Sequence, residues 1–416
     1  MSLRVLAWQT GPVSRALATG VLAFALAAPP ARANGFAIAF GARSYRPGTT
    51  ALLHVVGASA GTFRAVVLRA GAGNDDSPTA GQAVERQRAI VHAGGSFELP
   101  IRLGAWPSGV YFVRLSEPGG GVRYAPLVLR PRELGDSRVL VVEPTNTWQA
   151  YNVYGGDSWY AFASVHVVDL TRPYAGDGLP PHFGGYDRGF LRWYARSGFS
   201  ADFVSDDDLE QLASGAQLRH LYRLIVFPGH EEYVTAHVYD IVAGFRARGG
   251  NLAFLSANGF FYAVARRGNE LYGRTRWRDL GRPEAALIGA QYDGWEEGRY
   301  PNRPYVVVGL RHAPWLFAGT GLHDGSRFGK YGIEIDETTS ASPRDTYVLA
   351  EIPNDFGPGL NAEMTVYRDG RATVFDAGAM NFGGSADWPV VSRLVANLWQ
   401  HLGDERRLAA AVLDRR

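Results

Sequence analysis

From Gly35 to about Pro131, hydrophobic positions come in short runs, many alternating with polar ones, and turn residues break them at close intervals. That period of two predicts strands over 50–56, 62–68, 87–91, 96–101, 109–115 and 124–129. Between them stand clusters such as Gly71-Ala-Gly-Asn-Asp-Asp76 and Glu117-Pro-Gly-Gly-Gly121, built of residues that favour turns. Many short strands so closely spaced make a sandwich, and residues 34–133 are expected to form an immunoglobulin-like β-sandwich.

Past Pro131-Arg-Glu-Leu-Gly-Asp136 the period changes. The runs 138–143, 221–228 and 251–256 are almost continuously apolar, as strands buried on both faces of a parallel sheet are. Helical spacing fills 189–197, 205–213, 235–248 and 388–402. Strand alternating with helix predicts a doubly wound α/β domain over 137–416. The stretch 270–350 has little period and reads as insertions and β-structure.

Composition removes several chemistries. Forty-two basic against 40 acidic residues leave a formal charge of +2, too weak a field for nucleic acid or anionic lipid. The chain contains no cysteine and one lysine, Lys330 in Gly329-Lys-Tyr-Gly332. Thiolate nucleophiles, iron–sulfur clusters and disulfides are excluded, and that setting suits neither a phosphate-binding loop nor a Schiff base. Residues 1–33 read as an export signal: Arg4 and Arg15 precede the apolar stretch 17–28, and Ala31-Arg-Ala33 has the small-x-small form of a cleavage site. A mature chain starting near Asn34, periplasmic or secreted, is expected, with an uncleaved signal kept as an anchor as the alternative. No other run approaches 18 uninterrupted apolar residues, so no membrane association is expected after cleavage.

Ligands of open parallel sheets bind beyond the carboxyl ends of the strands. Three such ends deliver chemically capable residues: Tyr151 after 139–143, His230 with Glu232 after 224–228, and Asn258 after 252–256. Each has a plainer reading. The tyrosine could be packing, the His230–Glu232 pair could cap the following helix, and Asn258 before Gly259 could be turn chemistry. Their convergence on one crevice favours function over all three.

The strings Thr145-Asn-Thr-Trp-Gln-Ala-Tyr-Asn152, Gly155-Gly156, Gly229-His-Glu-Glu-Tyr233 and Ser256-Ala-Asn-Gly-Phe260 resemble the large (β) subunit of bacterial N,N-dimethylformamidase, over roughly 95–400. The resemblance implies a glutamine-amidotransferase-like α/β domain that lacks the cysteine nucleophile. It also implies a mononuclear ferric iron, held by two tyrosinates and a glutamate, for hydrolysis of a small amide. Residue by residue, the glutamate is Glu232 and one tyrosine is Tyr151. The other matches Tyr111 in Pro107-Ser-Gly-Val-Tyr-Phe-Val-Arg-Leu115, with Tyr154 as its local competitor. His230 stands beside the metal, Asn258 lines the pocket, and His230 or Glu231 could move protons.

Hard phenolate and carboxylate donors suit a hard trivalent cation. The sequence departs from the family motif at Val234, where an aromatic is usual, and lacks the family's long N-terminal region. A small subunit or a second copy of the chain is the protein partner to expect. The rival reading is a secreted carbohydrate- or peptide-binding protein, with the aromatics of 148–160, Trp193 and Tyr194 as stacking platforms.

Overall fold

The computed structural model describes residues 35–403 apart from 162–163, 298 and 300–301. The expected signal of residues 1–33 lies outside them. Strands Ala37–Phe40, Thr50–Ala58 and Gly95–Arg102 form a three-stranded sheet. It faces a second sheet built mainly of Gly61–Arg69, Gly109–Ser116 and Val122–Leu129. Alternation decides the packing: Ala51, Leu53 and Val55 point inward to meet Phe63, Val67, Tyr111 and Val113 across a shared core.

The second sheet is apolar on both faces. Val66, Leu68, Val110 and Phe112 belong to a different core, with Phe183, Phe190 and Trp193 of the following region. The sandwich therefore buries its outer face against the α/β region. Charge reinforces that seam: Arg43 Nε donates to Asp207 Oδ2 at 2.6 Å, Arg266 pairs with the other oxygen, and Arg130 pairs with Asp208.

Beyond residue 138 runs a nine-stranded sheet. Its first five strands in spatial order are parallel: Asp202–Ser205, Val139–Glu143, Leu224–Phe227, Asn251–Phe254 and Ala372–Asp376. Four antiparallel strands continue it: Ala362–Asp369, Tyr347–Ile352, Arg303–Val307 and Arg327–Tyr331. The doubly wound expectation thus describes only the parallel half. The stretch of weak period supplies three of the antiparallel strands, Arg303–Val307, Arg327–Tyr331 and Tyr347–Ile352, joined by long connections.

Helices Gly215–Leu221 and Ala236–Ala247 contribute Leu218, Val238, Ile241 and Phe245 to the core on one face of the sheet. On the other face, Arg188–Ser197 and Pro389–Leu398 bury Trp193, Leu394 and Val395. At the carboxyl edge sit a small four-stranded sheet, in the order Val167–Asp169, Glu270–Arg276, Tyr262–Arg267, Tyr233–Thr235, and the pair Gln291–Trp295 with Glu334–Glu337.

Candidate functional site

Three strand ends build the site. After Val139–Glu143, the chain turns at Pro144 into helix Thr145–Tyr151, whose last residue is Tyr151. After Leu224–Phe227 comes Pro228-Gly229, then His230-Glu231-Glu232. The Thr147 hydroxyl pins that loop, accepting from the backbone N–H groups of Glu232 at 3.0 Å and Tyr233 at 3.3 Å. A Cβ at Gly229 would come within 2.5 Å of Asp187, so the close approach of the chain there requires glycine. The third end, after Asn251–Phe254, places Asn258 in the left-handed region at φ 56°, which asparagine tolerates better than most side chains.

His230, Glu232 and Asn258 are all at least 95% buried. The phenols of Tyr151 and Tyr233 and the Asn258 amide face the Glu232 carboxyl. His230 Nε2 lies 3.4 Å from Glu232 Oε2 and 3.8 Å from Glu334 Oε2. Asn258 holds the far side: its Nδ2 donates to Glu334 Oε2 at 2.7 Å and its backbone N–H to Asp336 Oδ1 at 2.8 Å. Tyr151 also meets the His230 ring edge-to-face at 5.4 Å.

Burial sets the electrostatics. It lowers His230 to about 3, so the ring is neutral. Burial raises Glu232, partly offset by Tyr151, Arg274, Tyr233 and Asn258; burial and then the Glu232 charge raise Glu334, Tyr151 and Tyr233. Glu232 Oε2, His230 Nε2 and Asn258 Oδ1 are buried without hydrogen-bond partners among the described residues.

Buried polar atoms left so are uncommon, and here they cluster around two acids whose nearest basic group is a neutral imidazole. The Arg274 guanidinium acts on Glu232 and partly offsets its burial. Among the described residues, no three His, Cys, Asp or Glu are grouped to hold a metal. A metal would therefore depend on phenol oxygens beside Glu232. One carboxylate with two phenols is a hard, anionic oxygen set, and it fits ferric iron.

Not every expected residue arrives. Tyr111 lies in the sandwich core, stacked on Trp106, and its hydroxyl donates to the Pro107 carbonyl at 2.7 Å. Alternation explains this, because on strand Gly109–Ser116 it is Val110 and Phe112 that face the α/β region. The ring that faces Glu232 in its stead is Tyr233, and Tyr154 is only half-buried in the turn Tyr154–Gly156. Glu231 is also corrected. Its side chain turns toward Asp206 and Glu143, whereas Glu232 meets the tyrosines and Asn258. Nor do His230 and Glu232 cap the next helix. Thr235 does, accepting from the Val238 N–H at 3.2 Å.

Tyr233 adjoins Glu232 in the motif string itself and was within reach of sequence reasoning. Glu334 and Arg274 come from the stretch of weak period, and only the alternation of Glu334-Ile-Asp336 hints that two acids share one face. Of the aromatics named for a stacking platform, Trp148, Trp159, Trp193 and Tyr194 are buried, whereas Tyr160 is exposed and stacks on Tyr151 at 4.7 Å.

The family described as N,N-dimethylformamidase beta subunit-like, C-terminal, matches residues 94–393. No curated protein matches the chain. Solved structures with local likeness include macromomycin, at 7% identity over 23% of this chain and 98% of that one, TM-score 0.17. Another is the superoxide reductase (neelaredoxin) of Ignicoccus hospitalis, at 9% identity over 23% and 80%, TM-score 0.16. A third is the carbohydrate acetylesterase XAC1771 of Xanthomonas citri, at 9% identity over 51% and 57%, TM-score 0.16. Likenesses of that size carry nothing about function.

Proposed function

This chain belongs to the N,N-dimethylformamidase β-subunit-like family, and from that premise we propose that it is an exported hydrolase of small amides using ferric iron held by Tyr151, Tyr233 and Glu232. The observation that carries this reading is the pair of phenols facing one buried carboxyl, beside the unpartnered His230 Nε2. We take the parallel half of the sheet as the amidotransferase-like scaffold of the resemblance. Export rests on the signal expected in residues 1–33.

Iron bound there supplies Lewis-acid polarisation of a carbonyl and a lowered pKa for water. The protein supplies the rest. His230 presents its free ring nitrogen to the attacking water, takes one proton from it and returns that proton to the amide nitrogen as the C–N bond breaks. One amide and one water give one carboxylic acid and one amine. Asn258 fixes Glu334 by its 2.7 Å bond and leaves its own Oδ1 free to receive an N–H of the substrate. Tyr151, His182 and Tyr186 line a narrow recess against His230.

Metal analysis and visible absorption of the purified protein, with formamide and N,N-dimethylformamide as substrates, test the proposal. Tyrosinate-to-iron charge transfer gives a coloured protein. A colourless protein that hydrolyses neither amide when supplied with ferric iron overturns the reading.

A further inference from the structure

Arg274, on strand Glu270–Arg276, reaches the site through the Tyr233 hydroxyl. It is exposed, yet its guanidinium is fixed from three sides. Nη1 donates to the Trp159 carbonyl, the group interacts with the Tyr233 hydroxyl, and it lies 5.9 Å from the centre of the Tyr262 ring. Of the neighbouring arginines, Arg266 pairs with Asp207, Arg276 with Asp279 and Arg278 with Glu284, while Arg267 lies over the Tyr272 ring, away from the site. Arg274 has no carboxylate within ion-pair distance among the described residues. A held, uncommitted guanidinium beside a reaction centre is equipped for bidentate recognition of an anionic group.

We propose that Arg274 binds a carboxylate on the substrate, so that the amides preferred by this site carry an acidic group close to the scissile bond. This rests on the amide-hydrolase reading above and narrows its substrate class. Geometry sets the spacing. One oxygen, that of Tyr233, interacts with both the Glu232 carboxyl and the Arg274 guanidinium. Two hydrogen-bond lengths of about 3 Å each place those groups on the order of 6 Å apart. An amide carbonyl near Glu232 therefore reaches Arg274 through a carboxylate two or three atoms away. N-formylglycine and succinamate have that form. Arg274 is solvent-exposed, so the substrate carboxylate stays at the surface while the amide faces Glu232.

The test compares kcat/KM for N-formylglycine with that for its methyl ester, which is similar in shape but uncharged, in the wild-type protein and in Arg274→Gln and Arg274→Lys. The proposal expects the acid-to-ester ratio to favour the acid in the wild type. It expects that ratio to fall roughly ten- to hundredfold in Arg274→Gln, the range of one hydrogen-bonded charge, with partial recovery in Arg274→Lys. A wild-type ratio near one, or equal losses for both substrates in Arg274→Gln, overturns it and makes Arg274 a support for Tyr233. If no amide is hydrolysed at all, the amide-hydrolase reading fails by itself. Calorimetric titration with succinamate then decides for Arg274: binding lost in Arg274→Gln upholds carboxylate recognition, and no binding to the wild type ends it.

Discussion

Asn258 and Glu334, 76 residues apart, are joined by a 2.7 Å hydrogen bond from the Asn258 side-chain amide to Glu334 Oε2. Asn258 comes from the end of a parallel strand and Glu334 from the β-structure inserted after it. The bond docks the inserted acid onto the edge of the sheet, 3.8 Å from His230. Asn258→Asp places a third acid against Glu334 and Asp336, which burial already raises. Loss of stability by about 1–3 kcal/mol at pH 8 is expected, smaller at pH 5, where the acids hold protons. Urea unfolding at the two pH values measures it.

The assignment of the two phenols separates three tyrosines. Tyr151→Phe and Tyr233→Phe should each bleach the visible band of the iron-loaded protein. Tyr111→Phe should keep it and lose only the bond to Pro107, about 1 kcal/mol of stability. If Tyr111→Phe is colourless and Tyr233→Phe is not, the assignment of Tyr233 fails.

Glu232→Gln removes the one carboxylate of the set, and iron content and activity should fall together. His230→Ala should retain iron and colour while kcat drops roughly 10²- to 10⁴-fold, the usual worth of a positioned acid–base group. Equal loss of iron in both variants would make His230 a ligand. Iron content per chain, measured beside kcat, decides between these roles.

Asp187 lies beside the recess, 2% exposed, with one oxygen unpartnered. Burial pushes its carboxyl up to about 8, partly offset by the Trp148 side chain. The folded state therefore holds a proton that the unfolded chain releases near pH 4. Stability from this group is complete at pH 4 and declines as pH rises to about 8, by up to roughly 1.4 kcal/mol per pH unit. Asp187→Asn should flatten that decline, which urea midpoints from pH 5 to 8 would show. An unchanged slope places the titration elsewhere.

At the seam, Asp207 is shared by Arg43 of the sandwich and Arg266 of the small sheet. Arg43→Ala leaves Asp207 one partner and should cost about 1–3 kcal/mol. Asp207→Ala strands two guanidinium groups and should cost more. A double-mutant cycle by thermal unfolding isolates the pair.

The sequence by itself determined the elements that depend on local period. The alternating strands expected of the sandwich, three of the five strands of the parallel half, and the helices expected over 189–197 and 235–248 lie within a few residues of where hydrophobic spacing put them, because that spacing selects a face. The spacing did not mark Asp202–Ser205 or Ala372–Asp376. It also placed Tyr151, His230, Glu232 and Asn258 at strand ends, since the position of each loop follows from where its strand stops. Which side chains meet was decided only by tertiary structure. Whether Tyr111 or Val110 faced the α/β region depended on how the sandwich docked, and a shift of one residue reverses the answer. Glu231 and Glu232 parted in the same way, one toward Asp206 and one toward the tyrosines. Glu334 lies on a strand paired with Gln291–Trp295, about 40 residues earlier, and Arg274 on a local hairpin whose docking at the site depends on contacts with Trp159 and Tyr233 far away in the chain. Their place at the site exists because the inserted β-structure folds back over the carboxyl edge of the sheet.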